Sequence, residues 1–226
     1  MHSLQNMVRS QLYNYRGSLA LGFHGCRREV AERLMANPND IRISENDWDW
    51  LGSGFYVWEN NLERAEEWAL NTYGEDAAVV GVVYELGNCL DLMESSSIGL
   101  VKDAREEFVN LMNVIGESIP SNKDVKRDAN HDRLLRYMDC AVINYLTGNT
   151  DAICAEELKE KGYSENKAFD TVRGCFHEGA KLDGMEIYEK THIQIAIRNM
   201  NCIKGVFLLI ISPLGYRSYH YFGTDI

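Results

Sequence analysis

The chain has 226 residues, 45% of them hydrophobic and 25% charged, with a formal net charge of −11. That length and mixture suit a single medium-sized globular domain, and the acidic excess argues against loose attachment to nucleic acid or an anionic membrane. No apolar run approaches the roughly 20 residues that cross a bilayer, and residues 206–211 read instead as a buried strand. The opening Met1-His-Ser-Leu-Gln-Asn lacks the basic stretch and apolar core of an export signal, so a cytoplasmic location is expected. Cys26, Cys89, Cys140, Cys154, Cys175 and Cys202 include no close pair. This removes zinc-type spacings and favours free thiols used as small core residues in a reducing compartment; no metal is expected. Local basic stretches at Arg27-Arg28 and from Lys123 to Arg136 read as solvated surface, with a nucleic-acid cleft as the rarer alternative.

In chain order, residues 18–23 predict a short strand ending in His24-Gly25-Cys26. Residues 27–35 place Val30, Ala31 and Leu34 at helical spacing and stop before Asn37-Pro38. Residues 37–54 are a polar loop carrying Trp48 and Trp50, followed by a strand over 55–58. Asn60 or Asn61 is expected to cap a helix over 62–71, with Glu63 and Glu66 near its positive end. The β-branched run 77–86 reads as a central strand. Residues 98–115 have a 3.6-residue apolar period with Ser96 or Ser97 as cap, and 133–146 repeat that style. The charged segment 120–131 joins the two, and a third helix is expected over 151–161. The two apolar stripes should pack on each other and on the sheet. Residues 191–198 alternate Ile193, Ile195 and Ile197 with His192, Gln194 and Ala196, a half-buried strand, and 202–211 form another. Strands at both ends, helices between and no Gly-rich nucleotide loop predict one α+β domain over 1–226, with a helical insertion over about 97–162.

Two segments carry candidate chemistry. Phe23-His24-Gly25 ends a strand with an imidazole and a residue that admits close approach of another backbone or a ligand. Gly52-Ser-Gly54-Phe55-Tyr56 sets two glycines in an aromatic cluster, which suits a flat ligand ring stacked beside main-chain amides. Alone, each is a weak signal: a lone strand-end histidine is usually a satisfied structural one, and Gly-x-Gly before aromatics is often a tight turn. Together, with Asn60 and Ala65 following, they resemble the ADP-ribosyltransferase superfamily, in its His-Tyr branch shared with diphtheria toxin and the poly(ADP-ribose) polymerases. The run from Trp50 to Asn61, followed by Arg64-Ala65 and Glu67-Trp68-Ala69, is similar to a bacterial toxin-like subfamily of that branch. The likeness is strong over 18–86 and looser over 169–211, and the helical middle has no counterpart in it.

The resemblance implies a split mixed/antiparallel β core and NAD⁺ as co-substrate. ADP-ribose would pass to a macromolecular acceptor, protein or nucleic acid, as in a toxin or anti-phage effector held by an inhibitor or antitoxin partner. By the same resemblance His24 takes a hydroxyl of the adenosine-side ribose, the Gly25 main chain binds the nicotinamide carboxamide, and Tyr56 stacks on the nicotinamide ring, with Gly54 counted among the cofactor-binding residues. The family's strand glutamate has no direct match: Gln194 occupies the corresponding position, and Glu178 and Glu189 are the nearby acids. Any of the three is open as the catalytic group. Arg173 pairs either with a phosphate of NAD⁺ or with Asp170. Trp48 and Trp50 are candidates to shape the pocket, Trp58 and Trp68 to fill the core. Tyr216, Tyr219, His220 and Tyr221 either close the sheet edge or stack bases. The missing acid leaves a second reading, a non-catalytic NAD- or ADP-ribose-binding module on a degenerate version of the fold.

Overall fold

The computed structural model describes residues 15–126, 128–211 and 217–220. The opening residues, Arg127 within the second basic stretch, and Tyr216 and Tyr221 of the aromatic tail lie outside the described residues. The elements run β1 (Tyr15–Arg27), α1 (Arg28–Ala36), β2 (Phe55–Glu59), α2 (Leu62–Tyr73) and β3 (Ala77–Asp91). Two long helices follow, α3 (Ser95–Ile115) and α4 (Tyr137–Lys161), then β4 (Thr171–Phe176), β5 (His192–Ile197), β6 (Ile203–Ile211) and β7 (Arg217–His220).

The strands form one mixed sheet in the order β1-β2-β5-β4-β3-β6-β7, and β1 also pairs with β3. The extra pairing closes five strands into a ring, from which β6 and β7 continue beyond β3. The length of β3 makes this possible. Its first half lies antiparallel between β1 and β6, while Cys89–Asp91 run parallel to Thr171, Val172 and Arg173 of β4. The class is therefore α+β, and the two long helices lie between β3 and β4. Arg217–His220 pair with β6 and form the sheet edge.

Three apolar clusters hold the layers. Ala31 and Leu34 of α1 pack on Val57, Val80, Val82, Tyr84, Ile195 and Ile197. Ala65 and Ala69 of α2 pack on Phe23, Trp58 and Val79. The stripes of α3 (Leu100, Ala104, Phe108) and α4 (Val142, Ile143, Leu146) meet each other and Leu90, Val172 and Ala196 of the sheet, as their periodicity predicts. Each fully buried aliphatic side chain contributes about 1.5–3 kcal/mol. Cys26, Cys89, Cys140 and Cys202 are buried, all six cysteines are free, and burial pushes the Cys26 thiol up to about 12.

The structure corrects several local expectations. The helices expected over 133–146 and 151–161 are one helix that starts only at Tyr137. Arg133 has φ +51°, which keeps it outside the helix. Gly148 does not break it, because Leu146, Thr147 and Thr150 are buried around it and the Thr147 and Thr150 hydroxyls bond the Asn144 and Leu146 carbonyls. Neither Ser96 nor Ser97 caps α3: Glu94 precedes its first turn, and Ser97 lies buried within it. Of the two asparagines before α2, Asn61 is the cap, accepting from the Arg64 N–H at 3.0 Å. β4 was not expected as a strand.

Candidate functional site

Between β1 and β2 the sheet comes apart. The two strands pair only at Gly22–Glu59 and Phe23–Trp58. From His24 onward β1 follows β3 to Arg27–Ala77, while β2 follows β5 from Trp58–Gln194 to Phe55–Ile197. The divergence opens a cleft of about 660 Å³, within the size range of small-molecule sites. Its walls are the ends of both strands, the 44–50 part of the long loop, Arg64 and Trp68 of α2, and Phe176, Glu178, His192 and Gln194 from the β4–β5 side.

His24 and Tyr56 meet at the point of divergence. The His24 Nδ1–H donates to the Tyr56 carbonyl at 2.8 Å; a carbonyl only accepts, so the proton sits on Nδ1 and Nε2 keeps its lone pair. The imidazole packs on Phe55, 4.4 Å between ring centres. Burial lowers its pKa from 6.5, outweighing the hydrogen bond, so the ring is neutral at pH 7. The Tyr56 hydroxyl donates to the Gly52 carbonyl at 2.8 Å and accepts from the Leu51 N–H at 3.0 Å. Burial, then the nearby Asp49 charge, hold this phenol well above its usual pKa, so it offers a ring face rather than an acid or base.

The two glycines serve packing first. A Cβ on Gly25 would lie 2.8 Å from the Ala65 carbonyl oxygen of α2, and one on Gly54 would lie 3.0 Å from the Ala196 Cβ of β5. The close approach anticipated for a ligand is made by the protein's own α2 and β5, and both residues still line the cleft.

Register sorts the remaining candidates. Trp58, Gln194 and Gly174 are cross-strand partners, as are Tyr56, Ala196 and Val172, and His192 and Phe176, so these side chains share the cleft face. The Trp50 indole N–H donates to the Gln194 side-chain oxygen at 2.6 Å. Arg173 pairs with Ile195 and therefore points to the opposite face. There its Nε bonds Glu59 at 2.8 Å and its Nη1 lies 3.2 Å from Asp91. Both expectations for Arg173 are corrected: it does not line the cleft, and its partner is not Asp170, which accepts from the Asn88 N–H and the Asn199 amide.

The acids divide. Glu178 reaches the cleft, but both of its oxygens lie 2.6 Å from Arg64 Nη2. Glu189 is exposed on the hairpin between β4 and β5 and takes no part in the lining. Asp49 lines the cleft half-buried, accepting from the Asn46 N–H at 3.3 Å, and burial raises its pKa. Asp49 and Arg64 were not among the sequence candidates. Arg64 had a signal: a cation in the first turn of a helix opposes the macrodipole, which points to a partner elsewhere. Arg64 also bonds Glu67 at 3.1 Å, and Lys190 pairs with Glu67, so α2 and the β4–β5 hairpin are joined beside the cleft. His192 packs flat on Phe176 and bonds the Lys190 carbonyl at 2.6 Å; burial lowers its pKa. All four tryptophans line the cleft; Trp58 is buried against Trp68, whereas Trp48 is 42% exposed.

Among the described residues no group of three or more His, Cys, Asp or Glu is placed to hold a metal ion, and no helix is long and apolar enough to cross a membrane. Comparisons with protein-family profiles, curated proteins and solved structures find no significant match for this chain.

Proposed function

We propose that the chain cleaves NAD⁺ and transfers ADP-ribose to a macromolecular acceptor, on a split β core of ADP-ribosyltransferase type. One observation carries the reading. His24 and Tyr56, 32 positions apart, are tied by a 2.8 Å hydrogen bond where two strands diverge, and both line the same cleft. In this reading the nicotinamide lies on the Tyr56 ring with its carboxamide on the Gly25 main chain, and a hydroxyl of the adenosine ribose donates to His24 Nε2. The neutral tautomer of His24 suits that task, since Nε2 is an acceptor. The glycosidic C1′–N1 bond breaks with its electron pair passing to nicotinamide, which leaves neutral. A nucleophilic oxygen or nitrogen of the acceptor bonds C1′ and releases its proton to solvent. Holding the dinucleotide in one pose supplies the orientational part of the barrier reduction.

Incubation with adenylate-labelled NAD⁺ and a cell lysate should label a macromolecule and release nicotinamide. His24→Ala and Tyr56→Ala, checked for folding by circular dichroism, should abolish both. Persistent labelling in both variants would overturn the assignment.

A second reading has its own support. The strand position carries an amide, and Glu178 is engaged by Arg64, so among the described residues no strand carboxylate faces the cleft. A module that binds NAD⁺ or ADP-ribose without turnover would bind the dinucleotide in calorimetry and release no nicotinamide over hours.

A further inference from the structure

We propose that Trp50 is the positioning residue of the cleft: its indole N–H pins the Gln194 carbonyl, so that Gln194 of strand β5 offers the ligand a hydrogen-bond donor in place of an acceptor. The identity of the ligand rests on the NAD⁺ reading; the lock itself rests on geometry alone.

An indole nitrogen donates and never accepts, so the atom of Gln194 at 2.6 Å from it is the oxygen, and the amide orientation follows without ambiguity. The Gln194 NH₂ is then the group left to the cleft that this residue lines. Turning the amide over would set NH₂ against N–H, losing the bond and opposing two donors. Trp50 is itself well held. Its ring meets Phe176 edge-on at 5.2 Å and lies over Gly174, where a Cβ would sit 2.6 Å from Trp50 Cη2. The next residue, Leu51, is fully buried with its N–H on the Tyr56 hydroxyl. The loop before β2 thus reaches 144 positions along the chain to set the polarity of one side chain. A ligand atom that meets Gln194 must be an acceptor: a ribose oxygen, a carbonyl or a phosphate oxygen. A ribose hydroxyl bound there accepts from the amide and keeps its own proton for another partner.

The test uses the full chain in two measurements. With ¹⁵N-labelled tryptophan, the Trp50 indole N–H should exchange slowly with solvent, and Gln194→Ala should speed that exchange. Calorimetry with NAD⁺ then compares wild type, Trp50→Phe, Gln194→Ala and the double variant. Trp50→Phe keeps an aromatic ring on Phe176 and should weaken NAD⁺ binding roughly tenfold, Gln194→Ala by a similar factor, and the double variant no more than either single one. Equal weakening by Trp50→Phe with and without Gln194 would make Trp50 a packing residue and overturn the proposal. So would solvent-rate exchange of the wild-type indole. A wild type with a protected, Gln194-dependent indole and no affinity for NAD⁺ would leave the lock standing and remove the NAD⁺ reading instead.

Discussion

Tyr56→Phe removes a single oxygen and separates two roles of the residue. That oxygen accepts from the Leu51 N–H at 3.0 Å and donates to the Gly52 carbonyl at 2.8 Å. Leu51 is 0% exposed, so water cannot replace the lost acceptor. An orphaned buried amide costs about 1–3 kcal/mol, and the second bond adds about 1 kcal/mol, for an expected loss of about 2–4 kcal/mol. For a chain of this length each kcal/mol lowers the melting midpoint by about 2–4 °C, so a fall of about 4–16 °C is expected. The ring face stays, and at a temperature where the variant is folded NAD⁺ binding should remain within about threefold of wild type, whereas Tyr56→Ala should lose about tenfold or more. Differential scanning calorimetry and NAD⁺ titration read the two effects separately. An unchanged midpoint, or a Tyr56→Phe variant as poor in binding as Tyr56→Ala, would refute the division of labour between hydroxyl and ring.

Other perturbations test neighbouring parts of the site. Arg64→Met strands the Glu178 carboxylate, only 15% exposed, and should cost about 3–5 kcal/mol in urea unfolding; adding Glu178→Gln should recover most of it. Gln194→Glu keeps an acceptor for the Trp50 indole and turns the group facing the cleft from donor to carboxylate. Nicotinamide release should rise about tenfold or more if a missing charge limits the chemistry, and an unchanged rate would place the limit elsewhere. His24 and His192 are both held below 6.5 by burial, so on acidification the unfolded chain takes up protons that the folded chain refuses. Their contribution to stability is complete above pH 6.5 and should be lost as pH falls from there through the folded values. His24→Gln/His192→Gln should flatten the melting midpoint between about pH 5 and 7, and an equal slope in wild type and variant would refute this.

The parts legible in the sequence are those whose signal is local. The β-branched run that became β3, the α3 stripe and the alternation of β5 all report their own environment, and the His-Gly and Gly-Phe-Tyr segments fall at one cleft. β4 was missed because six residues that include Arg173 and Gly174 have no alternating pattern; their pairing is set by β3 and β5. The break expected within α4 failed because tertiary burial of Leu146 and Thr150 overrode the propensities of Thr and Gly. The side-chain partners of the cleft were out of reach for the same reason. Glu178 joins Arg64 across 114 positions and Gln194 joins Trp50 across 144, and no local pattern states such distances. Arg173 was misassigned through ignorance of register, since one step along β4 exchanges the two faces of the sheet.

The five-stranded ring also orders events in time. His24 and Tyr56 are made before β4 and β5, yet β2 holds only two residue pairs with β1 and takes the rest of its support from β5. A nascent chain on the ribosome therefore carries the imidazole and the phenol long before Ile197 emerges to complete the floor beneath them. Such late, long-range strand closure is slow compared with helix formation. Whatever this cleft does, it begins only after β5 has joined β2, which gives any partner that binds the emerging chain an interval in which to act.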